Sequence, residues 1–381
     1  MTEKLFYQDP FLSEFTAVVQ SCEETKGGWH VVLNRTAFYP EGGGQAADHG
    51  TLGGAAVSDT REKEERILHL CDAPLPVGET VTGKVDFARR FDLMQQHSGE
   101  HIVSGIICSL FHCDNVGFHV GHDLVTIDFN TELTADDLRK VESVANRYIW
   151  EDHPISITFP SPEELAALDY RSKKELTGQV RIVAWPGADC CACCGTHVAR
   201  SGQVGLVKLL SVQKFREGVR IEMVSGQRAL HHYTTMWEQN TAVSQLLSAK
   251  PAETAAAVER LQREVYGLQG RVMALENSDF GRKARELAGQ GDVLLVEGDM
   301  SSESVRKLCA AVQETCGGRC AVFSGGEGGY KYAIGQPEGD LRPLVKALNA
   351  ALNGRGGGKP GFVQGSVQAD EAAIRAFFQE K

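Results

Sequence analysis

The feature that most restricts how this chain can fold is a pair of short segments lying far apart in it. They are Gln95-Gln96-His97-Ser98-Gly99-Glu100-His101 and Cys193-Cys194-Gly195-Thr196-His197. Each offers two metal-competent side chains four residues apart, a spacing that on a helix places both on one face, one turn apart. Leu93, Ile102, Ile106 and Leu110 follow helical periodicity beside the first pair, which predicts a helix there. Pro186, Gly187 and Gly195 surround the second pair, which predicts a loop after a strand over Val180–Trp185. A fold that uses all four must bring a remote loop onto one helix. Three imidazoles and a thiolate suit zinc, for which tetrahedral N/S sites are the usual solution. The alternative is a buried histidine pair with unrelated loop cysteines. Cys190, Cys191, Cys193 and Cys194 are crowded, and two C-x-x-C pairs can be drawn among them. The relation to His197 favours Cys193 as the ligand.

Order along the chain suggests four regions. Residues 1–90 read as β-rich: Phe15–Cys22 and Trp29–Leu33 alternate around a Lys26-Gly27-Gly28 turn, with further strands at Arg66–Leu70 and Glu79–Val85. A small β-barrel is expected. Gly42-Gly43-Gly44 within it does not precede a helix in a βαβ unit, so a nucleotide-phosphate cradle is not indicated. Residues 91–227 read as α/β, with an amphipathic helix at Ala135–Trp150 and strands at Leu124–Phe129, Ile155–Phe159, Val204–Val212 and Val219–Val224. In residues 228–278, Val258, Leu261, Val265, Leu268, Val272 and Leu275 repeat in steps of three and four, an a/d seam. An antiparallel helical hairpin through the link at Pro251 and pairing with a second chain are equally compatible with it. Residues 279–381 read as another α/β domain, with a glycine-rich loop from Gly354 to Gly365 in which Arg355 and Lys359 could grip phosphate. Cys309, Cys316 and Cys320 lack a histidine partner and are expected to be buried thiols.

These motifs together resemble a known family. An H-x-x-x-H helix followed by a C-x-x-x-H loop is the pattern of the alanyl-tRNA synthetase editing domain and of its freestanding AlaX-type relatives. Arg35-Thr36-Ala37-Phe38-Tyr39-Pro40-Glu41-Gly42-Gly43-Gly44-Gln45, continued by Asp48, Gly50 and Leu52, resembles the family's N-terminal glycine-rich motif. Gly117-Phe118-His119-Val120-Gly121 resembles the segment after the histidine helix. Gly354-Arg355-Gly356-Gly357-Gly358-Lys359-Pro360 with Gln364-Gly365 resembles the C-terminal DHH-associated domain. Cys194 stands where the motif commonly has glycine. The resemblance implies a multidomain α+β chain of barrel, zinc-binding α/β editing domain, helical linker and C-terminal α/β domain. It also implies that Gly42, Gly43, Gly44 and Gln45 reach the pocket and help choose the amino acid, and that Arg355, Gly356, Gly357, Gly358 and Lys359 serve tRNA binding or dimerisation.

The implied activity is hydrolysis in trans of the ester on mischarged tRNA(Ala), seryl or glycyl. Such a second site is physically needed, since one methyl distinguishes substrates by only ~1–3 kcal/mol. Thr36, or polar groups around Gly117–His119 including His119, are candidates to read a serine hydroxyl. Glu100, between the histidines, is a candidate general base. An open coordination position would favour water activation, and a closed shell a positioning role. Two rivals are a non-catalytic zinc-stabilised tRNA-binding module and a DHH-type phosphoesterase; no Asp-His-His triplet is present for the latter. The net charge of -11 argues against binding nucleic acid by bulk charge, so tRNA contact needs local basic patches. Met1–Pro10 has no apolar signal core and no apolar run is long enough to span a bilayer, so a cytoplasmic protein with reduced thiols is expected.

Overall fold

The computed structural model describes residues 1–172 and 178–379. It is a mixed α+β chain that divides into two units, Met1–Gln239 and Asn240–Lys381.

The first unit begins with six strands paired in a closed antiparallel order. Around the ring they run Glu14–Thr25, Gly28–Leu33, Arg66–Cys71, Ala55–Lys63, Gly50–Leu52 and Thr80–Val85, the last returning to the first. Exposed and buried residues alternate along Glu14–Gln20, as a strand with one solvated face requires. Phe15, Val19, Leu33, Phe38, Leu52 and Val81 fill the interior. Residues 37–49 cross over to the next element, the helix Phe87–Phe111, which Asp86 caps by accepting from the Arg89 amide. One wholly buried ion pair joins the two. Arg90 on the helix donates to both carboxylate oxygens of Asp48 and to the carbonyls of Ala37 and Pro10.

That helix is buried from Leu93 through Ile107, consistent with a central rather than a surface element. Leu110 departs from the expected stripe, being exposed where the helix runs out into the left-handed His112. Around the helix lies a four-stranded antiparallel sheet, in the order Val207–Phe215, Gly218–Ser225, Val125–Phe129, Asn115–Val120. A three-stranded sheet follows, in the order Ser156–Thr158, Ile182–Trp185, Asp189–Ala192. The helix Ala135–Trp150 starts with a Thr134/Asp137 capping box.

In the second unit, parallel strands Gly291–Glu297 and Gly317–Gly326 flank the helix Ser302–Cys316, the βαβ unit read from the sequence. Cys309, Cys316 and Cys320 are buried as expected. The glycine-rich stretch is not a loop. Arg355–Lys359 is an exposed edge strand paired with Phe362–Val367. Its glycines carry no apolar pattern that could announce a strand. At Gly356 and Gly358 an added Cβ would meet the neighbouring strand's backbone at 2.5 Å and 2.3 Å. The long helix Thr254–Glu286 buries Phe280 and Ala284 with Val305 and Leu308 of the following helix. Its a/d seam stays exposed, from 39% at Val258 to 71% at Leu275.

His69 gives the ring a pH dependence. It is wholly buried, with Nδ1 donating to the Val31 carbonyl and Nε2 accepting from Thr36 Oγ1. Burial pushes its pKa down to about 4, against a partly opposing hydrogen bond to Val31. The unfolded chain binds the proton more readily, so stability is lost as pH falls from about 6.5 toward about 4. Unfolding free energy from urea titration should lose about 2 kcal/mol between pH 7.5 and pH 5 through this group alone. His69→Gln should remove that part of the pH dependence.

Candidate metal centre and cavity

The structure brings His97, His101, Cys193 and His197 together, with one donor atom from each lying within 4.8 Å of all the others. The helix delivers the two histidines, whose rings stack at 5.2 Å. The loop after strand Asp189–Ala192 delivers Cys193 and His197, and its thiol lies 3.4 Å from His97 Nε2 and 3.3 Å from His197 Nε2. Arg181 holds the loop by donating to the carbonyls of Cys193 and Gly195, at 2.7 Å and 3.0 Å. Residue 195 must be glycine, because a Cβ there would lie 2.2 Å from the His97 ring.

The partners behind the ligands fix which nitrogen faces inward. Gln45 Oε1 accepts from the Thr196 amide at 3.1 Å, while its Nε2 donates to Thr196 Oγ1 at 2.8 Å. The amide orientation is thus set, so His97 Nδ1, 2.9 Å from that same Oε1, must be the donor. Its Nε2 is turned toward the Cys193 thiol. Asp189 does the same for His101. Its carboxylate accepts from His101 Nδ1 at 2.8 Å and from Arg171 at 2.7 Å and 2.8 Å. Burial would raise the Asp189 pKa, but the imidazole and guanidinium hold it below the usual carboxylate range. His101 Nε2 then has no partner in a buried position. Burial likewise works to raise the Cys193 pKa, yet the three imidazoles hold the thiol well below its usual range. An unpartnered buried imidazole nitrogen, two more imidazole nitrogens and a thiol held toward its ionised form make one buried cluster, a donor set that fits a metal ion.

The cluster forms one wall of a cavity of about 360 Å³, also lined by Gly43, Gly44, Phe118, Cys191 and Cys194. Gly43 and Gly44 have φ of +58° and +80°, and Gly42 and Gln45 exchange two backbone hydrogen bonds across them. This is the tight turn that both positive dihedrals permit. Tyr39 braces it by donating its hydroxyl to the Gly42 carbonyl.

Other residues singled out from sequence lie elsewhere. Gln45 sits behind His97. Thr36 is buried in the ring with its hydroxyl engaged by His69 and by the Phe38 amide. His119 is exposed, and its neighbour Phe118 is the one that lines the cavity. Glu100 is buried, with Oε1 accepting from Ser104 and Asn115. Asp189, Arg171 and Phe118 were not selected from the sequence. Asp189 was findable only as the polar residue opening the cysteine strand, and Phe118 as the apolar member of Gly117-Phe118-His119.

Comparison with known proteins places this geometry in a class. Residues 3–89 match the family described as tRNA synthetases class II (A), and residues 180–222 match the threonyl and alanyl tRNA synthetase second additional domain. An alanine–tRNA ligase of Ignicoccus hospitalis is 30% identical over 98% of this chain, but the chain spans only 42% of that ligase. The alanyl-tRNA editing protein AlaX-L of Pyrococcus horikoshii is 28% identical over 98% of this chain and 96% of its own length. Aarsd1-B, an alanyl-tRNA editing protein of Xenopus laevis, gives the same figures. Over nearly the whole length of both chains, this chain is thus similar to freestanding, long-form alanyl-tRNA editing proteins. No helix among the described residues is long and apolar enough to cross a membrane.

Asp189→Asn should weaken metal binding ~10–100-fold, as loss of such outer partners commonly does. Competition between the purified protein and a chromophoric chelator for zinc measures this. An unchanged affinity would mean that Asp189 does not orient His101.

Proposed function

We propose that the protein is a zinc-dependent deacylase acting in trans on tRNA(Ala) bearing serine, with glycine as a second target. The observation that carries this reading is a buried His/Cys donor set at the wall of a cavity that also contains the glycine turn. Similarity to AlaX-L over nearly the whole of both chains supports it.

His97, His101, Cys193 and His197 would hold the zinc, whose charge would organise the cavity. Four protein donors fill a tetrahedral shell, which favours a positioning role. The chain's own groups then handle the substrate. Within the turn, the Gly43 and Gly44 amides are not spent on the Gly42–Gln45 hydrogen bonds, and both residues line the cavity. They are better placed than the engaged Thr36 to donate to a polar aminoacyl group. Glu100 is held by Ser104 and Asn115, which suits anchoring strand Asn115–Val120 to the helix better than taking a proton from water.

The tRNA body would meet the exposed edge strand Arg355–Lys359, where Gly357, with open space where a side chain would stand, lets phosphate approach Arg355 and Lys359. A second copy of the chain would cover the seam on Thr254–Glu286. From Val258 to Leu275 valine occupies the a positions and leucine the d positions, the pattern that favours two strands.

Purified protein should release serine from Ser-tRNA(Ala). His101→Ala and Cys193→Ala should lose zinc together with at least ~100-fold in rate, in keeping with a group on which the site's organisation depends. Folded, zinc-loaded protein inert on both seryl and glycyl tRNA(Ala) would overturn the reading and favour a binding module. Glu100→Gln should retain zinc and deacylation alike; a large loss of rate with zinc retained would restore it as the base. For the seam, light scattering should report a dimer that Leu268→Asp converts to monomer; a monomeric wild type would refute that assembly.

A further inference from the structure

We infer that Phe118, interlocked with Gly44, is the wall that limits the size of the aminoacyl side chain accepted in front of the donor cluster. The inference deepens the deacylase reading and rests on it. Phe118 lines the cavity, and its ring lies 4.9 Å from that of His97, tilted by 32°. It therefore stands beside a donor of the cluster, not at the cavity's outer rim. Gly44 also meets the ring. A Cβ added there would lie 2.6 Å from Phe118 Cδ1 and 2.7 Å from Cε1, so the phenyl ring occupies the space a side chain at 44 would need.

The two are also tied through the backbone. The Val120 amide donates to the Gly44 carbonyl at 3.0 Å, which fixes the glycine turn against the strand Asn115–Val120. Thus one side chain from the α/β part fills the gap left by a missing side chain in the ring part. The turn cannot recede, because its positive dihedrals and the Tyr39 hydroxyl hold it. A rigid apolar wall of this kind rejects added carbon atoms by steric exclusion and leaves polar recognition to the backbone amides beside it.

The test uses full-length, zinc-loaded protein and tRNA(Ala) charged with glycine, serine, threonine or valine. Wild type should prefer seryl over threonyl ester by ~10–200-fold, the range available from one methyl group. Phe118→Ala should cut the discrimination against threonyl and valyl esters relative to seryl by at least about tenfold. Gly44→Ala should act in the opposite sense, pushing the ring inward so that seryl hydrolysis falls more than glycyl. Metal content and thermal unfolding show whether each variant is intact. If an intact Phe118→Ala keeps the wild-type preference, the size-limiting role is wrong. If wild type hydrolyses none of the four esters, the deacylase reading itself fails, which is a separate result.

Discussion

Two hydrogen bonds made on the far side of the imidazoles decide what the cluster can be. Nδ1 of His97 donates to Gln45 and Nδ1 of His101 to Asp189, so each ring turns its Nε2 toward the same small volume. A buried nitrogen acceptor without a donor costs on the order of 1–3 kcal/mol. Several of them facing one another beside a thiolate would be unfavourable unless a cation satisfies all at once. The outer hydrogen bonds commit the fold to that arrangement. They come from different parts of the chain: Gln45 follows the glycine turn of the ring, whereas Asp189 opens the strand before the cysteine loop. Assembly of the donor set is therefore coupled to correct docking of both parts on the helix Phe87–Phe111.

The docking itself depends on charge buried without water. Arg90 and Asp48 are both inaccessible to solvent. Such a pair contributes little net stability against an apolar substitute, but losing one partner leaves an uncompensated charge and costs about 3–5 kcal/mol. Its value lies in direction. Asp48 also accepts from the Tyr39 amide, and Arg90 from its side binds the Ala37 carbonyl. The segment that leads into the glycine turn is thereby fixed to the helix two turns before His97. A purely apolar contact would allow sliding of the turn along the helix; directional bonds to a carboxylate and two carbonyls do not.

This division explains what the sequence could and could not reveal. The histidine spacing was legible because a helix converts a separation of four into adjacency. The cysteine loop was legible because glycine and proline mark where regular structure stops. The ring strands and the βαβ unit followed from alternation and from apolar runs between turns. Asp189 and Arg171 were not legible, since each acquires its role from a residue remote in the chain and neither sits in a distinctive local pattern, whereas Phe118 stood in a marked segment whose polar His119 drew the reading. Thr36 was misleading for the same reason: a threonine beside a glycine motif looks available, and only the fold shows His69 taking its hydroxyl proton. The Arg355–Lys359 segment failed differently. Glycines that allow strands to approach closely look, in sequence, like glycines that allow a loop to flex.

The seam and the cavity place opposite demands on apolar surface. Along Thr254–Glu286, valine and leucine remain in water at regular spacing, an arrangement that gains free energy only when another surface covers it. In the cavity, Phe118 remains partly exposed beside the donors, yet covering it would fill the space in which a substrate would sit. Phe118 packs on the core at its base, and its free face stands toward the cavity. Its position against Gly44 makes excluded volume the property that matters. The same reasoning applies to Gly44, whose lack of a side chain admits the ring as well as the turn. The shape of the cavity is therefore set jointly by one residue that is large and one that is absent of side chain, on two segments joined by a single backbone hydrogen bond.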